Sequence, residues 1–250
     1  MITLLINLIL GWIGAVIVNY LADVLPVHRK FTRLQCPECQ KEKTWNQYIW
    51  ISNCDSCGRK PGIRHLVVLI LVPVLAGLVY FFPIENFGNL GSLIWLVFFS
   101  LVVIIDLEHR LILHPVSLIG AILGMIFGSI NHGILNTILG GAAGFGLMLI
   151  FYLFGNLFIK FLSRRRGEEI DEVALGFGDV NLAGVIGLLL GWPGVIAGVF
   201  LAIIIGGLIS GMFLLIQLFR KKYEAFQALP YGPFLVISVV LLLYYSQFVR

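Results

Sequence analysis

The sequence predicts an all-α, polytopic integral membrane helix bundle with about eight transmembrane helices and a small zinc-binding cytosolic loop. Three observations favour this fold class. The 250 residues are 59% hydrophobic and only 12% charged, whereas soluble domains average about 45–50% apolar and about 25% charged residues. The mean hydropathy is +0.99. All four cysteines lie within 22 residues of one another. This composition excludes a soluble globular enzyme, a disordered chain and a basic nucleic-acid-binding domain.

Eight apolar segments approach the length of about 20 residues that a transmembrane helix requires. They are Ile2–Leu21, Leu66–Phe82, Phe87–Ile105, Leu111–Ile130, Ile134–Leu162, Val180–Gly191, Gly194–Phe219 and Phe234–Phe248. Glycines spaced four residues apart recur in these segments, at Gly120–Gly124–Gly128, Gly140–Gly144, Gly187–Gly191 and Gly207–Gly211. Such small-residue faces allow helices to pack closely in lipid. We expect the glycines to serve helix packing.

The basic residues predict the orientation, because Lys and Arg concentrate on the cytoplasmic side of membrane proteins. If the N-terminus lies outside the cytosol, 16 of the 17 basic residues fall on the cytosolic side. Only Arg250 falls outside. The sequence therefore predicts that both termini face away from the cytosol and that the cysteine-containing loop is cytosolic.

The cysteines form two Cys-x-x-Cys pairs, Cys36–Cys39 and Cys54–Cys57, separated by fourteen residues. This spacing is typical of Zn²⁺ held by four thiolates. Because all four ligands come from the protein, no coordination position is left for a catalytic water, so the predicted zinc is structural. Free thiols or redox-active pairs are the alternative interpretation, although disulfides rarely persist in the cytosol.

Two acidic residues depart from the pattern in which carboxylates occupy polar loops. Asp106 follows an apolar run, and Asp179 follows Gly176-Phe-Gly178 and opens an apolar helix. Ionisable groups in or beside membrane spans are costly and indicate a functional site. Two carboxylates that share one proton can activate water for amide hydrolysis. Gly176 and Gly178 would let a substrate backbone approach Asp179. An ion or proton pathway, or a helix cap at Asp179 with an interfacial charge at Asp106, remain open alternatives.

Five motifs follow one another along the chain: Asn19–Pro26, the tetracysteine loop, Ile105–Arg110, Gly176–Asn181 and Leu229–Phe234. Together they resemble the type IV prepilin peptidases, the bacterial prepilin leader peptidase/N-methyltransferase family. The resemblance implies that Asp106 and Asp179 are the catalytic aspartates of an intramembrane endopeptidase. It also implies cleavage of a basic leader from prepilin or pseudopilin precursors of type IV pili and protein secretion. Methylation of the new N-terminus with S-adenosylmethionine is a further implied activity.

The resulting expectation is a bacterial inner-membrane enzyme in three parts. Residues 1–21 form the first transmembrane helix, residues 22–65 the cytosolic zinc loop, and residues 66–250 the transmembrane catalytic bundle. Its expected partners are the precursor proteins and the lipid bilayer, without nucleic acid. The alternative function is a proton- or ion-coupled transporter that uses Asp106 and Asp179 as ion ligands. No internal repeat of the kind that many carriers show is evident.

Overall fold

A computed structural model describes residues 2–29, 33, 35–36, 38–39, 41–42, 49, 53–60, 62–166, 175–219 and 230–248. Within these residues the chain forms eight long helices, and its only β-type pairing is an isolated bridge between Gln35 and Glu42. The helices are α1 (Ile2–His28), α2 (Ile63–Phe81), α3 (Gly88–His109), α4 (His114–His132), α5 (Ile134–Arg166), α6 (Phe177–Leu190), α7 (Gly194–Phe219) and α8 (Gly232–Phe248). The predicted all-helical fold class is confirmed.

Six of these helices, α1 to α5 and α7, are long and apolar enough to cross a membrane. The protein is therefore a multi-pass membrane protein. The other two are shorter: α6 has 14 residues and α8 has 17. At about 1.5 Å per residue, α6 is about 21 Å long, less than the hydrocarbon core of about 30 Å.

Several helix ends differ from the predicted spans. Helix α1 continues beyond Leu21 to His28, α3 continues through Asp106 to His109, and α6 begins at Phe177 rather than at Val180. An apolar run marks the part of a helix that lipid can surround. The backbone hydrogen bonds of the helix continue beyond that part, into residues with polar side chains. Both aspartates therefore lie within helices. Six of the basic residues on which the predicted orientation depends lie outside the described residues: Lys30, Lys43, Arg220, Lys221, Lys222 and Arg250.

The chain forms two compact units, Met1–Ile105 and Asp106–Arg250. In the first unit, α1 packs against α2 at Gly11, where a Cβ atom would lie 2.5 Å from the Cβ of Ala76. Asn7 is buried, and its side-chain amide exchanges two hydrogen bonds with that of Asn89, at 2.9 and 2.7 Å. Paired amides of this kind hold helices together where the surrounding lipid offers polar groups no partner.

The second unit is built around the short helix α6, most of whose side chains are buried. Its neighbour α5 approaches through glycine: a Cβ on Gly140 would lie 2.3 Å from the carbonyl oxygen of Gly187. On α4, a Cβ on Gly128 would lie 2.0 Å from the carbonyl oxygen of Leu188. The glycine-packing prediction therefore holds for these faces. It does not hold at Gly207 and Gly211, where a Cβ would meet no described atom within 4 Å.

Candidate functional site

Asp106 lies in the last turn of α3 and is 4% exposed. Its Oδ2 accepts a hydrogen bond of 2.9 Å from the backbone N–H of Gly232, the first residue of α8. A Cβ at position 232 would lie 2.6 Å from this oxygen, so only glycine allows the contact. The N-terminus of a helix carries partial positive charge and favours a carboxylate there. Arg110, just after α3, also interacts electrostatically with Asp106.

Asp179 lies in the first turn of α6 and is 8% exposed. Its Oδ2 accepts a hydrogen bond of 3.2 Å from the backbone N–H of Gly176, the residue that caps the helix. An acidic side chain at the third helical position often accepts a hydrogen bond from the backbone N–H of the residue that caps its helix. The sequence alternative in which Asp179 itself is the N-cap is therefore wrong: Gly176 is the cap residue, and Asp179, in the first turn, is held by the N–H of Gly176.

The two carboxyl groups are brought together although 73 positions separate them in the sequence. Asp106 contributes to the electrostatic environment of Asp179. The ends of three helices meet here: the last turn of α3 and the first turns of α6 and α8. Within the second unit, this arrangement gives two buried acids that are each held by one backbone N–H group. It is suited to proton exchange with a bound water or with a substrate amide.

Tyr231 belongs to the same site, although its sequence position alone indicates no individual role. Its hydroxyl is buried and has no hydrogen-bond partner among the described residues. It lies within electrostatic range of Asp179. Its ring packs edge-on against Phe234, with centroids 6.2 Å apart. The one available sequence signal was a tyrosine immediately before Gly232-Pro233 at a helix start.

Gly176 and Gly178, the residues expected to admit a substrate, differ in their surroundings. A Cβ on Gly178 would lie 2.8 Å from the Cβ of Ile112 and 3.0 Å from its carbonyl oxygen. Gly178 therefore has a packing role against the connection between α3 and α4. Gly176 is exposed, and a Cβ there would first meet the Asp179 carboxyl at 3.3 Å. Of the two glycines, Gly176 is therefore the more accessible to a substrate backbone.

The four cysteines also come together, in the first unit. The Sγ atoms of Cys36 and Cys57 are 3.6 Å apart, as are those of Cys39 and Cys54. All four lie within 4.8 Å of one another. For metal–sulfur bonds of about 2.3 Å, tetrahedral geometry separates the sulfurs by about 3.8 Å. The cluster can therefore hold a metal ion such as Zn²⁺.

The two Cys-x-x-Cys turns are alike in structure. In each, the N–H of the first cysteine donates to the carbonyl oxygen five residues later: Cys36 to Lys41 at 2.9 Å and Cys54 to Arg59 at 3.0 Å. The backbone N–H groups of Cys39 and Glu38 lower the pKa of Cys36 to about 6. This sulfur is then a thiolate at neutral pH, the form that binds metal.

The backbone has the same effect in the second turn, where the N–H groups of Ser56 and Cys57 lower the pKa of Cys54. Cys57 itself differs. The N–H of Arg59 lowers its pKa, but desolvation and the neighbouring thiols outweigh this and raise the pKa to about 12. Binding of a cation must therefore displace the proton of Cys57.

A polar network joins the two helices from which the cysteine loop emerges. Asp23, near the end of α1, pairs with both Arg64 and His65 at the start of α2. The His65 Nε2 lies 2.9 Å from the Asp23 carboxylate. Asn19 donates to the carbonyl oxygen of His65 at 3.2 Å. No sequence pattern indicates this network, which ties the two ends of the loop together.

Comparison with known proteins gives a consistent result. Residues 93–211 match the model of the type IV leader peptidase family. Relatives described as prepilin leader peptidase/N-methyltransferase are found in Aeromonas hydrophila (23% identical, 86% of this chain and 72% of the relative covered), Pseudomonas aeruginosa (25%, 81% and 68%) and Legionella pneumophila (28%, 85% and 72%). No solved structure gives a significant match. The resemblance drawn from the five motifs is confirmed.

Proposed function

Because residues 93–211 match the model of the type IV leader peptidase family, we propose that this membrane protein is an intramembrane aspartic endopeptidase. It removes the basic N-terminal leader from prepilin-like proteins on the cytoplasmic side. The observation that supports this most strongly is the pair of buried acids, Asp106 and Asp179, at converging helix ends in one compact unit.

In the proposed mechanism the two carboxyl groups share one proton, since two negative charges repel in a buried site. The charged carboxylate takes a proton from water, and the water oxygen bonds to the scissile carbonyl carbon. The protonated carboxyl donates a hydrogen bond to the carbonyl oxygen. The C–N bond then breaks, and the departing amine receives a proton from the dyad. Asp106 and Asp179 are positioned for this by the N–H groups of Gly232 and Gly176.

Tyr231 supplies a third group in this proposal. A buried hydroxyl beside the dyad, with no partner of its own among the described residues, is available to donate a hydrogen bond to the developing oxyanion. Donors aimed at developing charge are effective because they need no reorganisation during the reaction. The phenol thus belongs with the reacting groups rather than with the helix packing.

The Tyr231→Phe variant is expected to retain the fold and to lose activity. Loss of one oxyanion donor typically lowers kcat by about 10²–10³-fold, and KM should change little. The matched control is Tyr245→Phe, because Tyr245 is 64% exposed on α8. Steady-state cleavage of a purified prepilin measures both constants. An unchanged kcat for Tyr231→Phe would remove the hydroxyl from the mechanism.

We propose that the metal is Zn²⁺ and that it is structural. Cys36, Cys39, Cys54 and Cys57 would be its ligands, and four thiolates complete a tetrahedral shell. The turns around them contain few residues that could form a core of their own. A metal supplies the missing stability in such short segments.

Replacement of Cys39 by serine is expected to reduce bound zinc from about one ion per chain to well below half, because structural sites need all four ligands. Ser56→Ala is the control, since Ser56 lies in the second turn without being one of the four sulfur ligands. Elemental analysis of the purified proteins gives the zinc content. A wild-type protein without zinc, or a Cys39→Ser variant with full zinc, would contradict the assignment.

The proposed orientation places both termini outside the cytosol and the cysteine loop inside it, in a bacterial inner membrane. The distribution of Lys and Arg supports it. In this orientation the last turn of α3 and the first turns of α6 and α8 all lie at the cytoplasmic side. The dyad then faces the compartment that contains the basic leader.

A second activity, methylation of the new N-terminus with S-adenosylmethionine, is proposed because the relatives are described as N-methyltransferases. The sequence has no Gly-x-Gly-x-x-Gly fingerprint of a soluble nucleotide-binding fold. We therefore assign no residue of this chain to the methyl donor. When bound, S-adenosylmethionine would supply the methyl group to the amine that cleavage exposes.

Mass spectrometry of a purified prepilin tests both activities. After incubation with the protein alone, the prepilin should lose the mass of its leader. With S-adenosylmethionine it should also gain one methyl group. An intact prepilin, together with solute uptake into liposomes that depends on both aspartates, would favour the ion-coupled transporter instead.

A further inference from the structure

A groove of about 590 Å³ runs along the second unit, with α6 as its floor and α4 and α5 as its walls. Its rim is open, because Leu118 is 64% exposed and Ile138 is 48% exposed. Among the residues that the structure describes, the lining contains no Asp, Glu, Lys or Arg. An open, uncharged groove on a membrane-spanning bundle faces lipid, so its occupant must be apolar along most of its length.

The middle of the groove is lined by small residues from all three helices. Ala121 comes from α4, Gly141 and Ala142 from α5, and Gly184 from α6. Small residues allow another helix to approach closely in lipid, where association depends on van der Waals contact. The side chains on either side, such as Met125, are large and apolar. This pattern fits a helix better than a thin acyl chain.

One end of the groove is polar. His114, Ser117 and Asn181 line it, and Asn181 and Phe177 belong to the first turns of α6, which also carry Asp179. Two residues along a helix turn by about 200°, so Asp179 lies on the other side of α6 from Asn181. A chain that leaves the polar end must therefore cross the first turn of α6 beside Gly176 to reach the carboxyl groups. Gly176 is exposed there.

We propose that this groove binds an apolar helix of the precursor that begins just after the cleavage site. The inference rests on the proposed peptidase function. The helix lies between α4 and α5 over Gly184, and its N-terminal end unwinds at the polar end and passes Gly176 to the dyad. Unwound backbone in a membrane needs polar partners, and Asn181 and His114 supply them. A lipid acyl chain has no backbone groups for these side chains to satisfy.

The groove can be filled from its exposed wall and from its floor. Ala142 is exposed on the groove wall, and Ala142→Trp places a large side chain in the path of the docked helix. Its matched control is Ala197→Trp, since Ala197 is exposed on α7 away from the groove. Gly184→Leu obstructs the floor in the same way, and Gly207→Leu on α7 is its control.

Both obstructing variants should lower kcat/KM for a full-length prepilin by about tenfold or more, mainly through KM, because steric misfit opposes docking. The two α7 controls should cleave at the wild-type rate. Equal kcat/KM in obstructing and control variants would overturn the groove assignment. Failure of the wild-type protein to cleave would instead count against the proposed function.

A binding readout that does not need cleavage separates the two proposals further. A photo-crosslinking amino acid is placed at Leu118 on the groove rim in an Asp179→Asn background, with Ile204 on α7 as the control position. After irradiation with a prepilin in liposomes, the Leu118 position should yield an adduct within the apolar segment of the prepilin. Equal yields at the two positions, or adducts only with lipid or with a second copy of this chain, would overturn the inference.

Discussion

Replacement of Asp106 or Asp179 by asparagine is expected to abolish leader removal while the protein still inserts and folds. Asparagine has nearly the same size, and each site keeps the N–H donor that now contacts the carboxyl group. It cannot exchange a proton as the acid does. General acid–base groups contribute about 10²–10⁴-fold each, so we expect losses of at least about 10³-fold in kcat when half of a shared dyad is removed.

The control for this prediction is Glu85→Gln, because Glu85 is an exposed acidic residue in the connection between α2 and α3. It should cleave a prepilin at the wild-type rate. Zinc content should be unchanged in all three variants, since the cysteine cluster belongs to the other compact unit. Substantial cleavage by either aspartate variant would mean that its carboxyl group is dispensable.

The second large effect is expected on stability, at the contact between α5 and α6. The Gly140→Ala variant would force a methyl group to within 2.3 Å of the carbonyl oxygen of Gly187. Backbone atoms cannot move aside as a flexible side chain can, so the helices must separate. Overpacking of this kind typically costs about 1–3 kcal/mol. In a chain of this size, each kcal/mol lowers the unfolding temperature by about 2–4 °C.

Gly146→Ala is the matched control on the same helix, because a Cβ there would meet no described atom within 4 Å. Thermal unfolding of the two variants in the same detergent compares them directly. We expect Gly140→Ala to unfold several degrees below the wild type and Gly146→Ala to unfold at or above it. Equal unfolding temperatures would show that the helices tolerate a wider separation than the structure indicates.

The helices were predictable because the bilayer imposes a length and a polarity on every spanning segment. The residues at which the helices begin and end were harder to predict. Apolar sequence indicates where lipid can surround a helix, and it does not report that α1 continues to His28 or that α6 begins three residues before Val180. The α1 extension contains Asp23, whose partner His65 is distant in sequence, and the early start of α6 contains the contact between Asp179 and Gly176.

The glycines also separate what the sequence predicts from what depends on the folded structure. Spacing alone predicted that Gly124, Gly128, Gly140 and Gly207 all lie on packing faces. A Cβ on any of the first three would meet a neighbouring helix, whereas a Cβ on Gly207 would meet no described atom of another element within 4 Å. A four-residue repeat identifies a face that permits close approach. Which faces acquire a partner depends on how the whole bundle is arranged.

Within the candidate site, the cysteine cluster was the most predictable part, because its ligand spacing is local. The pairing of Asp106 with Asp179 could be suggested from two separate polar interruptions in apolar sequence. The parts that could not be predicted come from α8 and from Tyr231, the residue that precedes it. The N–H of Gly232 reaches Asp106 across 126 positions, and no periodicity in the sequence indicates such a contact. For the same reason, the sequence indicates no individual role for Tyr231.

The central claim is that the two aspartates act as one catalytic unit. Its most direct test is the rate constant for leader removal, measured by mass spectrometry with enzyme in excess, for the wild type, Asp106→Asn, Asp179→Asn and the double variant. Residues that act as a unit give losses that are far from additive. We predict that the double variant is no slower than the slower single variant. Losses that multiply in the double variant, or rapid leader removal by either single variant, would contradict the claim.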